Sequence, residues 1–99
     1  MIIYNVTTNI DNSVHAEWLQ WMKNEHIPDV MSTGYFLEYK MCKVLVQEEQ
    51  GTTYSVQYTA ANMKDVDEYR AKHGPRLQKH VTEKYGEKAV SFRTLLEII

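Results

Sequence analysis

The chain has 99 residues and a mass of 11.6 kDa, which is the size of one folded domain spanning 1–99. Hydrophobic residues make up 43% and charged residues 24%, a composition typical of a globular protein and not of a disordered one. Eleven basic against thirteen acidic side chains give a formal charge of -2, so no basic excess favours nucleic acid as a partner.

Cysteine usage and the amino terminus predict a cytoplasmic location. Cys42 is the single cysteine, so no internal disulfide can form. The first residues lack the basic, long apolar and small-residue pattern of a secretion signal. No apolar run approaches the roughly 20 residues needed to cross a bilayer, so we expect no membrane partner.

The first third of the chain predicts a strand followed by an interrupted helix. Residues 2–10 alternate in polarity and are rich in β-formers. Capping residues then precede apolar side chains at helical spacing, among them Trp18 and Trp21. Pro28 lacks a backbone donor, so we expect a kink or a restart there, and Gly34 ends the helical region.

The middle of the chain predicts two further strands. Residues 35–47 are rich in β-formers, but their apolar parity changes near Met41 and Cys42, which predicts a bulge or burial on both faces. A polar hairpin connection follows at 48–51. Residues 52–61 alternate cleanly and predict a strand with one apolar face.

The last third predicts a bent helix and a final strand. Asn62 is a good N-cap, and Gly74-Pro75 predicts a bend midway along the apolar face that follows it. Gly86 ends this helix. The final strand, at about 89–98, places its apolar residues on one side and Arg93 on the other.

The element order β-α-β-β-α-β predicts an α+β fold of the ferredoxin-like class, with a four-stranded sheet and both helices on one face. The sheet face beneath the helices must be apolar. It therefore carries the aromatic and aliphatic side chains Tyr4, Val6, Tyr54, Val56 and Tyr58. The opposite face then presents the polar side chains Asn5, Thr7, Thr53, Ser55, Gln57 and Thr59.

Several segments resemble a bacterial family known only as a domain of unknown function. They are residues 17–22 (EWLQWM), 26–31 (HIPDVM), 33–34 (TG), 69–77 (YRAKHGPRL) and 91–97 (SFRTLLE). The resemblance covers essentially the whole chain and implies the dimeric α/β-barrel group, similar to antibiotic biosynthesis monooxygenases. In that group two ferredoxin-like sheets pack face to face, and each protomer keeps a cleft between sheet and helices. It includes cofactor-free monooxygenases, haem-degrading enzymes and small isomerases.

His26 is the candidate catalytic residue. It precedes Pro28 near the end of the first helix, where the group resembled here often places a polar residue at the cleft mouth. Neutral imidazole exchanges a proton near neutral pH and therefore suits general acid or base chemistry. The alternative is a helix-terminal histidine favoured by the helix dipole.

Arg76 and Arg93 are candidates for binding an anionic ligand, with Arg76 preferred. Guanidinium is planar and always charged, so it can clamp a carboxylate or a phenolate with two hydrogen bonds. Each arginine can equally form an ion pair within the protomer or across a dimer. Its partners would then be Glu25, Asp29 or Glu97.

Aromatic side chains between helix and sheet complete the predicted ligand site. Such layers are usually core, but buried hydroxyl and indole donors need partners, which a flat ligand in a cleft would supply. Tyr58, Trp21 and His73 are therefore candidate ligand-binding residues beside Arg76. His73 also has a packing alternative against Tyr69.

Neither metal nor haem is expected. His73 and His80 are seven residues apart, whereas paired metal ligands on a helix are normally four apart. The haem-degrading relatives use an asparagine in the first strand and a histidine in the second helix, loosely comparable with Asn5 and these histidines. Asn5, however, has the parity of the sheet face that points away from the helices.

An RNA-binding sheet on the same fold is excluded by strand parity. Exposing Tyr54 and Tyr58 would bury the polar side chains of the same strand beneath the helices without partners. The sequence thus predicts a homodimeric protein of unknown function that binds a small molecule in its cleft. Two alternatives stay open: a noncatalytic dimer whose cleft its own aromatic rings fill, and a cofactor-free monooxygenase-like enzyme.

Overall fold

The computed structural model describes residues 1–46 and 50–99, and these residues form the predicted order of elements. The strands are β1 (Ile2–Ile10), β2 (Glu38–Lys43), β3 (Thr52–Ala60) and β4 (Ala89–Glu97). The helices are α1 (His15–Trp21), α2 (Ile27–Ser32), α3 (Met63–Lys72) and α4 (Gly74–Tyr85). No helix among the described residues is both long and apolar enough to span a bilayer.

The sheet is antiparallel throughout, and its strand order is β2-β3-β1-β4. This is the ferredoxin-like arrangement, so the predicted fold class is confirmed. Val6 of β1 lies opposite Val56 of β3 and Arg93 of β4. Since directly paired residues share a sheet face, Arg93 lies on the helix-facing side together with the core valines.

Aromatic rings form one end of the core beneath the helices. Phe36 contacts Tyr4, Tyr58 and Tyr69, with ring centroids 6.0, 5.2 and 4.8 Å apart. Phe36 enters from the loop before β2, and Tyr69 lies on α3. All four rings are buried, so the loop, the sheet and the second helical region are joined by one cluster.

Both predicted helix interruptions are confirmed, each with a different local form. Before Pro28, Met22–His26 forms a π-helical turn and α2 begins at Ile27. A proline has no N–H for the carbonyl four residues earlier, so the regular hydrogen-bond ladder cannot continue through it. At Gly74-Pro75 the chain breaks into α3 and α4, with His73 at the junction.

The predicted bulge in the second strand is wrong. Between Glu38 and Lys43, β2 pairs with β3 in unbroken register, and five of its six residues are exposed. Residues 35–47 are not one strand, because Phe36 turns into the core before β2 begins. The change of apolar parity within residues 35–47 therefore reflects a loop that is followed by a strand, and not a bulge within one strand. Residues 47–49, which include the end of that predicted strand and half of the predicted connection, lie outside the described residues.

The sheet face turned away from the helices, called here the open face, has a polar centre and an apolar edge. Ser55 donates to Asn5 Oδ1 at 2.6 Å, and Asn5 Nδ2 donates to Thr7 at 3.1 Å. Along β4, Val90 and Phe92 are 64% and 62% exposed. The apolar side of the last strand thus lies on the open face, not beneath the helices.

Candidate ligand-binding cavity

A cavity of about 250 Å³ lies between the helix-facing side of the sheet and the helices. Its floor includes the short side chains Val6, Thr8, Val56 and Ser91. Its walls include helical side chains, among them Trp18, His26, Leu77 and Val81. Exposed Gln78 and Thr82 of α4 and Arg93 of β4 also line it, so its mouth lies between α4 and β4.

His26 ends the π-helical turn and lines this cavity. Its ring stacks on Trp21, with centroids 5.0 Å apart and an interplanar angle of 28°. Turns of this type recur at functional sites because they re-aim a side chain within a helix. The turn that accommodates Pro28 therefore also sets the position of the candidate catalytic residue.

Two buried nitrogen atoms in the cavity wall have no hydrogen-bond partner among the described residues. They are Nε1 of Trp18 and Nδ1 of His26. Trp18 is only 1% exposed, so bulk water does not reach its indole. A buried donor without a partner costs about 1–3 kcal/mol.

Burial lowers the pKa of His26 to about 4. The nearby Asp29 carboxylate opposes this shift, whereas the charges of His80 and Arg93 add to it. The imidazole is therefore neutral at neutral pH. A base with so low a pKa takes up a proton weakly, so the shift favours a hydrogen-bonding role over general base catalysis.

Tyrosine hydroxyls also line the cavity. Burial raises the pKa of Tyr58 and the pKa of Tyr69 well above the usual value. Both phenols are thus neutral donors at neutral pH. Tyr4 lines the same end, and its hydroxyl oxygen accepts a hydrogen bond of 3.1 Å from Arg93 Nε.

The structure brings together only part of the predicted site. His26 and Tyr58 line the cavity, whereas Trp21 lies behind His26 and packs edge-on against Tyr85. His73 and Arg76 lie outside the cavity lining, and Arg76 is exposed. Their side chains contact each other, with 3.5 Å between Arg76 Nη2 and His73 Nδ1. The packing alternative for His73 is also present, since its ring lies 6.3 Å from that of Tyr69.

Two residues that line the cavity, Trp18 and Arg93, are harder to identify from the sequence as parts of a site. Trp18 belongs to the aromatic stripe of the first helix, and nothing in that pattern distinguishes an unpaired indole from a packed one. Arg93 ranks below Arg76 on sequence grounds, although its parity opposite to Val90 and Phe92 places it on the other side of the strand. Parity separates Arg93 from these apolar residues, but only the pairing of β4 with β1 shows that its side faces the helices.

The whole chain matches one family model and shares its fold with several solved structures. The family is described as a domain of unknown function, DUF4286, and its model matches residues 1–99. No curated protein matches the sequence. A Deinococcus radiodurans protein described as a putative antibiotic biosynthesis monooxygenase has a TM-score of 0.69 and 14% identity, covering 100% of this chain and 93% of its own.

Two further structures give similar values. A variant of SnoaB, a cofactor-independent oxygenase from Streptomyces nogalater, has a TM-score of 0.67 and 10% identity over 98% of this chain and 92% of its own. A variant of MhuD with two manganese protoporphyrin IX molecules bound per active site has a TM-score of 0.69 and 14% identity over 100% and 95%. At these identities the likeness establishes a shared fold and no shared activity.

The residues present do not fit a porphyrin. The cavity, at about 250 Å³, lies below the roughly 300–1,000 Å³ typical of pockets for drug-sized ligands, and a porphyrin is larger than most of those. His73 and His80, the histidines of the second helical region, lie outside its lining, and Asn5 faces the open sheet side. Among the described residues, no three acidic, histidine or cysteine side chains converge as metal ligands.

Haemin titration tests the size argument. We expect no saturable Soret shift at one equivalent per protomer, because the cavity is too small for the macrocycle. A stoichiometric Soret shift that is lost in His26→Ala, or in His73→Ala or His80→Ala, would contradict this expectation.

The titration of His26 is the second test. The ring should titrate with a pKa of about 4 instead of the ordinary 6.5, as followed by its Cε1 proton in NMR spectra. Because the unfolded chain binds this proton more readily, the stability contributed by neutral His26 is complete above pH 6.5 and is lost as the pH falls towards 4. The loss amounts to about 2–3 kcal/mol and should be absent in His26→Gln. A wild-type midpoint near 6.5 would show that the ring is solvated.

Proposed function

We propose that this chain, which belongs to the DUF4286 family, binds a small ligand with apolar and polar groups in the cavity between its helices and its sheet. The observation that carries the proposal is the cavity itself, whose lining residues Trp18 and His26 each hold a buried nitrogen, Nε1 and Nδ1, without a partner among the described residues. An indole N–H can only donate, so a ligand that reaches it would present an acceptor oxygen.

The size and lining of the cavity support this ligand class. Val6, Val56 and Leu77 offer an apolar surface, and polar groups are distributed around it, from Thr8 and Ser91 on the floor to Gln78 and Thr82 at the mouth. A ligand site typically combines apolar surface with polar groups that fix the orientation of the ligand. At about 250 Å³, the cavity has room for a molecule of one or two rings.

The noncatalytic alternative requires the aromatic side chains to fill the cleft. Trp21 lies outside the cavity, and Tyr54 packs against Trp18 and His15 without lining it. The space beneath the helices is therefore not occupied by the rings expected to fill it. The cofactor-free oxygenase alternative is supported by the similarity of fold alone. The low pKa of His26 makes this residue a weak base, which does not favour catalysis.

We also propose that the protein is a homodimer joined through the open face. The central Asn5–Ser55 hydrogen bond leaves a flat polar surface, and Val90, Phe92 and Leu96 form an exposed apolar edge beside it. Contiguous exposed apolar side chains are typical of interaction surfaces. The same face of a second copy presents the same pattern, as an interface about a twofold axis requires.

Binding of 1-naphthamide, a neutral two-ring probe with a carbonyl acceptor, tests the cavity. Calorimetry should detect saturable binding by the wild-type protein. Val81→Phe fills the cavity from α4 and should abolish it, because the added ring takes the space of the probe. Val46→Phe makes the same change at an exposed position outside the cavity lining and should bind like the wild type.

Retained binding in Val81→Phe would place the probe elsewhere on the protein. Trp18→Phe keeps most of the apolar wall but removes the indole donor. It should weaken binding by about two- to tenfold, which corresponds to one neutral hydrogen bond.

Light scattering after gel filtration tests the dimer. The mass at micromolar concentration should be about twice 11.6 kDa. Phe92→Asp places a charge on the apolar edge of the open face and should yield the protomer mass, since Phe92 is 62% exposed and its loss leaves the core intact. Leu45→Asp, at an 89% exposed position outside the sheet, is the matched control and should stay dimeric. A wild-type mass equal to that of one protomer would contradict the proposed dimer and with it the barrel assembly.

A further inference from the structure

The described residues that line the cavity carry a single charge, and that charge is positive. Arg93 is the single ionised side chain among the described residues that line it, since no aspartate, glutamate or lysine does so and His26 is neutral at neutral pH. A cavity whose only charge is positive attracts an anion and repels a cation. The other polar side chains among the described lining residues are uncharged donors and acceptors.

Arg93 is held in place but left with unused donors. Its Nε donates to the hydroxyl oxygen of buried Tyr4 at 3.1 Å, which orients the guanidinium group. Within the described part of the chain it forms no ion pair, and neither of its Nη atoms has a hydrogen-bond partner. The terminal nitrogen atoms of a guanidinium form a fork that matches the two oxygen atoms of a carboxylate.

The position of Arg93 separates it from the proposed dimer interface. It pairs with Val6 on the helix-facing side of the sheet, whereas Phe92 and Thr94 beside it point to the open face. Its charge also acts within the cavity, since it adds to the lowering of the His26 pKa by burial and opposes the rise that burial causes in the pKa of Tyr69. The free guanidinium donors are therefore available to a molecule in the cavity, not to a second protomer.

We infer that the ligand of this cavity is a monocarboxylate whose apolar body lies over Val6 and Val56 and whose carboxylate binds Arg93 at the mouth. The inference rests on the proposed function, because it names the class of the ligand proposed there. A monoanion fits better than a doubly charged phosphate group. Among the described residues the lining offers one positive charge, so a second negative charge on the ligand would lack a partner there.

Two probes of nearly the same shape but different charge test whether the carboxylate contributes to binding. 1-Naphthoate carries a carboxylate where 1-naphthamide carries a neutral amide. Calorimetry at neutral pH should show that the wild-type protein binds naphthoate about tenfold more tightly, the value of one charge-assisted hydrogen bond. Val81→Phe should abolish binding of both probes, which assigns both to the cavity.

Substitutions of Arg93 then test whether this residue causes the preference for naphthoate over naphthamide. Arg93→Gln should bind naphthoate about tenfold more weakly and naphthamide within about twofold of wild type, because only the charged partner is lost. Arg93→Lys keeps the charge without the fork and should retain part of the preference. Arg70→Gln removes an equal charge from an exposed position on α3, outside the cavity lining, and should change neither affinity.

The outcomes separate this inference from the proposed function. Equal wild-type affinities for the two probes, or a preference that survives in Arg93→Gln, would overturn the carboxylate assignment and leave the cavity as a binding site. If wild type binds neither probe, the proposed function fails and the inference fails with it. The comparison of the two probes on the wild-type protein distinguishes these outcomes even if Arg93→Gln does not fold.

Discussion

The alternation of side chains along the central strands is the constraint on which the cavity depends. On the helix-facing side, Tyr4 lies opposite Tyr58, and the next pair along is Val6 opposite Val56. The two tyrosines pack against Phe36, which in turn contacts Tyr69 of α3, so a layer of aromatic rings lies between this helix and the sheet. Valine side chains are too short to span such a layer. The space above them is the cavity, so it follows from side-chain size at adjacent pairs.

The sequence predicts most of the fold because its local signals agree with the tertiary structure. Alternation locates β1 and β3, and two prolines locate both helix interruptions. The signal fails at 35–47, where a run of β-formers predicts a single strand. Phe36 is apolar because it joins the core from a loop, and no local pattern distinguishes such a residue from one in a strand. Its burial is decided by Tyr4 and Tyr69, far away in sequence.

The candidate site is predicted in part, and the division has a physical cause. His26 and Tyr58 are identified, because a histidine beside a helix break and a tyrosine on a core strand carry local signals. Arg76 ranks above Arg93 on sequence grounds, yet sheet pairing puts Arg93 in the cavity. Only the register of β4 against β1 reveals this. The type of a residue indicates which interactions its side chain can make, whereas the pairing of the strands determines which side chains lie together in the cavity.

The electrostatic character of the cavity argues for recognition more than for proton transfer. The burial that leaves Trp18 Nε1 and His26 Nδ1 without partners also holds His26 in its neutral form. Tyr58 is kept neutral in the same way. A wall of neutral donors and acceptors can orient an oxygen atom, but none of these groups exchanges a proton readily near neutral pH. Arg93 is the one permanent charge among the described lining residues, and it lies at the mouth, so a ligand of the proposed kind would be selected by shape and charge together.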